Sequence, residues 1–273
     1  MRTPPTSATS QASASPDGLL TLRDGARIWY TRNAARSASA AGTILYYSGG
    51  PGCADYLAPV SELLADRYAS VRFEPRGCGR SSRTGPYTVS AALQDMEELR
   101  AALGIVRWTV LGHSAGADMA LAYALAWPAR CEQLLCVAGG RIHNDRDWRR
   151  VYEINRDGIG ELLPPAASPY NMHANSMFTQ SWREYCKAPD LLRRIAALNT
   201  PVHYILAGED IRPNWPLEQL AALTPRGTCQ TIAGAGHNIW LTHPDALATA
   251  MLDCLDAQPA PNIEPVSFSG TPG

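Results

Sequence analysis

Three polar side chains stand where short apolar runs end: Ser114 in "WTVLGHSAGADMA", Asp210 in "YILAGEDIRP" and His237 in "IAGAGHNIWLTHP". A serine hydroxyl is a poor nucleophile until a base takes its proton, and an imidazole serves as that base once a carboxylate holds its ring and tautomer. The chain order serine, acid, histidine suits acyl transfer on a sheet whose strand ends meet at one edge. A Gly-x-Ser-x-Gly pattern alone says little, since a chain of this length contains one by chance about one time in ten. Here it follows an apolar, β-branched run and opens the Ala-rich helical pattern "AGADMALAYALA", so the chain turns sharply at the serine. Glu209 beside Asp210 stays open as the alternative acid. His243, before a proline at the start of the final helix, reads as part of a helix start.

Acyl transfer also needs donors for the negative charge that forms on the carbonyl oxygen. "YYSGGPGCADY" offers Gly49-Gly50-Pro51-Gly52 directly after a strand, and the Gly50 N–H with the Ala115 N–H would make the pair. His113 reads as a packed residue. His143, His173 and His203 lack paired ligand spacing, so neither a metal nor another cofactor is called for. Activity should fall on acidification as His237 takes up a proton.

These residues need a scaffold. The 273 residues, 45% hydrophobic, suit one large α/β domain with an insertion. "LLTLRDGARIWYTRN" reads as a hairpin about Asp24-Gly25. Apolar runs at 43–49, 70–75, 107–112, 132–139, 201–208 and 227–234 alternate with helical patterns. Strands apolar on both faces between helices predict a mostly parallel, twisted sheet covered on both sides. In "VSAALQDMEELRAALG", Leu93, Met96, Leu99 and Leu103 make one apolar stripe that Gly104 ends.

Residues 18–140 and 200–257 are assigned to this core, with 1–17 and 258–273 as Pro-, Ser- and Gly-rich tails. The span 141–199 is too long for an ordinary connection and predicts a short helical cap. Its apolar aromatic wall of Trp148, Tyr152, Met177, Phe178 and Trp182 is the candidate substrate surface, for a small or medium hydrophobic molecule or a short peptide. The same aromatics could instead seat the insertion on the core.

A formal net charge of −1, a pI of about 6.6 and no basic run give no footprint for nucleic acid or anionic membrane. With no apolar stretch of signal or spanning length, the sequence reads as cytoplasmic. The seven cysteines are scattered without a CxxC pair and read as buried free thiols.

"SGGPG", "FEPRGCGRSS", "DMEELRAALGI", "GHSAG", "GEDIRP" and "GAGH" together resemble the α/β-hydrolase superfamily, and within it the proline iminopeptidase-like branch, over roughly residues 20–256. The resemblance implies an α/β-hydrolase fold and hydrolysis through an acyl-enzyme, with esterase and aminopeptidase nearly level and lactonase or carbon–carbon bond hydrolase behind them. A hydrolase-fold receptor with little turnover is the alternative of another class. Ser48, His113, Ala115 and Glu74-Pro75 stand where that branch usually has His, Gly, Trp and Asp-Gln, and its acid usually comes one residue later than Asp210. Its larger cap supplies acids for a substrate amine. Here Asp145, Asp147, Glu153, Asp157, Glu161 and Glu184 are the candidates, although carboxylates on helical faces are usually solvated.

Overall fold

The computed structural model describes residues 17–142, 146–165 and 170–257. The C-terminal tail, His143 and Asp145 lie outside these residues, as does the N-terminal tail except Asp17, which opens the first strand.

Asp17–Thr21 (β1) and Arg27–Asn33 (β2) form the antiparallel hairpin about Asp24-Gly25. There follow Gly42–Tyr47 (β3), Ala58–Glu62 (α1), Tyr68–Phe73 (β4), Val89–Ala102 (α2), Trp108–His113 (β5), Ala115–Ala126 (α3) and Cys131–Val137 (β6). Arg146–Gly158 (α4), Met172–Tyr185 (α5) and Leu191–Ala196 (α6) lie in the insertion. Val202–Ala207 (β7), Trp215–Leu223 (α7), Gly227–Ile232 (β8) and Pro244–Asp256 (α8) complete the described chain. The eight strands form one sheet in the order β1-β2-β4-β3-β5-β6-β7-β8, parallel from β4 onward.

Alternation along the central strands divides the core. Leu45, Val110, Leu134 and Tyr204 point to the side of α2 and α3. Ile44, Leu111, Leu135 and Ile205 point to the side of α1 and α8. The α2 stripe buries Leu93, Met96 and Leu99, and the Thr88 side chain caps that helix by accepting from the Ala91 N–H at 3.2 Å. Sheet and α2 enclose α3, whose residues 116–124 are all buried, Asp118 being the one charged residue among them.

β8 has one neighbour and forms an edge of the sheet, and its Cys229 is exposed. This corrects the expectation of buried thiols. Cys78, Cys131, Cys136 and Cys254 are buried, whereas Cys53 and Cys186 are half-buried. The start of α5 is pinned over the loops after β3 and β4. Asn171 donates through Nδ2 to Gly77 O at 2.8 Å, and Asn175 through Nδ2 to Pro51 O at 2.9 Å.

Candidate active site

Ser114 is the whole connection between β5 and α3, at φ 55° and ψ −126°. A non-glycine residue held there costs about 1–3 kcal/mol, so its surroundings must enforce the turn. They do so by contact. A Cβ on Gly116 would lie 2.0 Å from Tyr47 O, and one on Gly139 would lie 2.1 Å from Ser114 O. Only chains without side chains at these two points can cross so closely behind the serine.

Asp210 follows β7 and His237 follows β8. His237 donates through Nδ1 to Asp210 Oδ2 at 2.6 Å, which leaves the Nε2 lone pair free to accept a proton. Asp210 Oδ1 accepts from the Arg212 backbone N–H at 2.9 Å and from Arg212 Nη1 at 3.2 Å. Burial alone would raise the Asp210 pKa, but the His237 hydrogen bond and charge, with Arg212, outweigh it and hold the carboxyl below its ordinary value. Glu209 is exposed, so the acid that meets His237 is Asp210.

Ser114 and His237 line one cavity of about 280 Å³. Glu161, from the insertion, closes one side of it. Its carboxylate forks onto Arg212, at 3.0 Å to Nη1 and 3.3 Å to Nη2, and its Oε1 is 4.0 Å from His237 Nε2. Asn238 Nδ2 donates to Leu162 O at 2.7 Å and pins the same segment. Among the candidate cap acids within the described residues, Asp147, Glu153, Asp157 and Glu184 are exposed and Glu161 is not.

A second, narrower slot of about 30 Å³ adjoins the first. Gly50 and Ala115 line it together with Tyr47, Met119, Ala174 and Phe178. Gly50 has φ 67°, in the left-handed region that favours glycine, and Ala115 is the first residue of α3. Neither backbone N–H has an acceptor among the described residues. The helix N-terminus adds its partial positive charge there.

A chain of hydrogen bonds not expected from the sequence ties these parts together. His113 is buried, and burial, then the charge of His237, hold its pKa well below the ordinary histidine value, so the ring is neutral. Its Nε2 is 3.1 Å from the His237 carbonyl, which can only accept, so Nε2 carries the proton. Nδ1 therefore accepts from Tyr56 Oη at 2.8 Å, and the same hydroxyl accepts from the Gly49 N–H at 2.7 Å. Ser48 acts nearby, donating to Asp55 Oδ1 at 3.1 Å and accepting from the Tyr56 N–H at 3.2 Å.

The expected aromatic wall is largely engaged elsewhere. Of its five members, Phe178 lines the slot, and the other four line neither cavity. Trp148 and Tyr152 stack on each other at 5.3 Å, with Arg141 over Trp148 and Arg212 over Tyr152. Trp182 stacks on Tyr185 and packs on the core, while Met177 is exposed. Their helical spacing marks an apolar face and leaves open which surface that face meets. Among the described residues no cluster of three His, Cys, Asp or Glu side chains is placed to hold a metal ion, and no helix is long and apolar enough to cross a membrane.

Residues 42–159 match the family described by the alpha/beta hydrolase fold. A Caulobacter segnis protein bearing the provisional name carbamate hydrolase RutD is 30% identical over 242 residues, 78% of this chain and 91% of its own length. The chain belongs to the α/β-hydrolase superfamily. A proline iminopeptidase of Xylella fastidiosa is 32% identical over 156 residues, 56% of this hydrolase and 48% of the relative, in keeping with the branch that the motifs resemble. A thermophilic esterase from Thermogutta terrifontis superposes with a TM-score of 0.70 at 20% identity, covering 88% of this hydrolase and 97% of that chain, and it shares the fold.

Proposed function

We propose that this hydrolase cleaves esters or amides of small or medium, largely hydrophobic acyl groups through an acyl-enzyme at Ser114. His237 Nε2 takes the Ser114 proton as Oγ bonds to the substrate carbonyl carbon. The Gly50 and Ala115 N–H groups hold the resulting oxyanion. The bond to the leaving oxygen or nitrogen then breaks, and that atom takes the proton from Nε2. Water attacks the acyl-enzyme, gives a proton to Nε2, and Ser114 leaves with it, releasing the acid and the starting enzyme.

The observation that carries this reading is the buried 2.6 Å Asp210–His237 hydrogen bond facing the cavity that Ser114 lines. It fixes the tautomer a serine base needs. The free N–H groups of Gly50 and Ala115 support it independently. The names of the relatives, provisionally a carbamate hydrolase, a proline iminopeptidase and an esterase, fit the reaction class proposed here.

The test is labelling of the folded chain by a fluorophosphonate probe, with the adduct mapped by mass spectrometry, beside turnover of p-nitrophenyl esters and aminoacyl naphthylamides. A single adduct on Ser114, lost in Ser114→Ala together with turnover, is the expected result. Turnover that survives Ser114→Ala, or a folded protein that neither labels nor hydrolyses, refutes the proposal.

A further inference from the structure

We infer that the narrow slot beside Gly50 and Ala115 receives the acyl side of the substrate, and that it accepts short, uncharged acyl groups of about two to four carbons. The inference rests on acyl transfer at Ser114. Once the carbonyl carbon is at Ser114 and its oxygen on the two N–H groups, its two remaining substituents point apart. One of them, the leaving atom, must meet His237 Nε2 to collect its proton. His237 lines the wide cavity and not the slot. The leaving group therefore occupies the wide cavity, and the acyl tail enters the slot.

The size of the slot limits that tail. About 30 Å³ is room for roughly two water molecules, hence for two or three carbons beyond the carbonyl. Tyr47 on β3 and Met119 on α3 are fixed walls, both buried in the core. Phe178 is the adjustable wall, half-buried on α5 of the insertion.

Its chemistry limits the tail further. Among the described residues no Asp or Glu lines the slot, and the one formal charge there is that of Arg76. Arg76 is itself committed, through Nε and Nη2 to Asp95 at 2.7 and 2.5 Å and through Nη1 to Asp24 at 2.8 Å. A free α-amine on the acyl group would lose its water beside a guanidinium and find no counter-charge. Glu161, whose Oε1 lies 4.0 Å from His237 Nε2, lines the leaving-group side and is already forked onto Arg212. An aminoacyl donor such as a prolyl group is therefore a poor substrate, despite the motifs shared with iminopeptidases.

The experiment measures kcat/KM of the full chain on p-nitrophenyl acetate, butyrate, hexanoate and octanoate, and on the β-naphthylamides of butyryl and prolyl groups. Active sites are counted by burst titration so that folded enzyme alone is compared. Acetate or butyrate should exceed octanoate at least tenfold, and the butyryl amide should exceed the prolyl amide. Phe178→Ala should raise octanoate at least tenfold, and Phe178→Trp should lower butyrate relative to acetate, both without changing the ranking of leaving groups on one acyl chain. Wild-type preference for octanoate or the prolyl amide, or a chain-length profile indifferent to both substitutions, overturns the slot assignment while Ser114 acylation stands. If Ser114 is not acylated in folded protein, the acyl-transfer reading falls and the slot assignment falls with it.

Discussion

Asp210→Asn tests the geometry at a single atom. Oδ1 of Asp210 accepts two donors from Arg212, at 2.9 and 3.2 Å. The amide of an isosteric Asn must keep its oxygen toward those donors, which turns its NH2 toward His237. An NH2 there can only donate to Nδ1, so the ring proton moves to Nε2 and the lone pair that would deprotonate Ser114 is gone. Wrong-tautomer variants of this kind lose about 10⁴ in kcat, or about 5.5 kcal/mol. The cavity keeps its shape, so KM should stay within about twofold. Steady-state kinetics on p-nitrophenyl butyrate between pH 6 and 9 reads both numbers, with exposed Glu209→Gln as the control that changes neither. A loss below about 100-fold, or one carried wholly by KM, would refute the claim that Asp210 sets the tautomer of His237.

Tyr56→Phe strands the Gly49 N–H and His113 Nδ1 and should cut kcat about tenfold at unchanged KM, with Ser114 still labelled by the probe. Gly139→Ala, whose new methyl meets Ser114 O, should cost at least about 2 kcal/mol in urea unfolding and slow labelling. Burial, then the Arg226 charge, lowers the His203 pKa to about 4, so stability drains as the pH falls from about 6.5 toward 4, by about 2 kcal/mol at pH 5. His203→Gln should flatten that acid limb when unfolding is compared at pH 7 and pH 5. Asp118 has the opposite sign. Burial raises its pKa to about 6, so its contribution is full below about pH 3.8 and is lost as the pH rises to 6, by about 3 kcal/mol. Asp118→Asn, which keeps an acceptor for the Gly140 N–H, should therefore unfold later than the parent above pH 6 and together with it at pH 4.

The sheet was legible because its central strands are apolar on both faces, and each of the six apolar runs overlaps one of β3 to β8. "GTCQTIAG" reads like the others, and only the strand order shows that β8 is an edge; its cysteine is exposed. Ser114, Asp210 and His237 were legible for a related reason: each follows the C-terminal end of a parallel strand, and such ends gather at one rim. Glu161–Arg212 and Tyr56–His113 were not. Their partners lie 51 and 57 residues apart, in loops without periodicity, and no pattern within either segment records the other. Glu161 looked like one more solvated acid, and His113 like filler. Short α6 carried too few turns to stand out between α5 and β7.

The hydrogen bonds running from Gly49 through Tyr56 and His113 to the backbone of His237 bear on how such a centre could be moved. Grafting Ser114, Asp210 and His237 onto another parallel sheet would reproduce three functional groups without what holds them in register. The smallest transplantable unit includes the hydroxyl of Tyr56 and the imidazole of His113, because each end of that chain locates the other. A designer who keeps residues 112–116 but fills the Tyr56 position with Phe would lose the hydroxyl that joins the Gly49 N–H to the His113 ring.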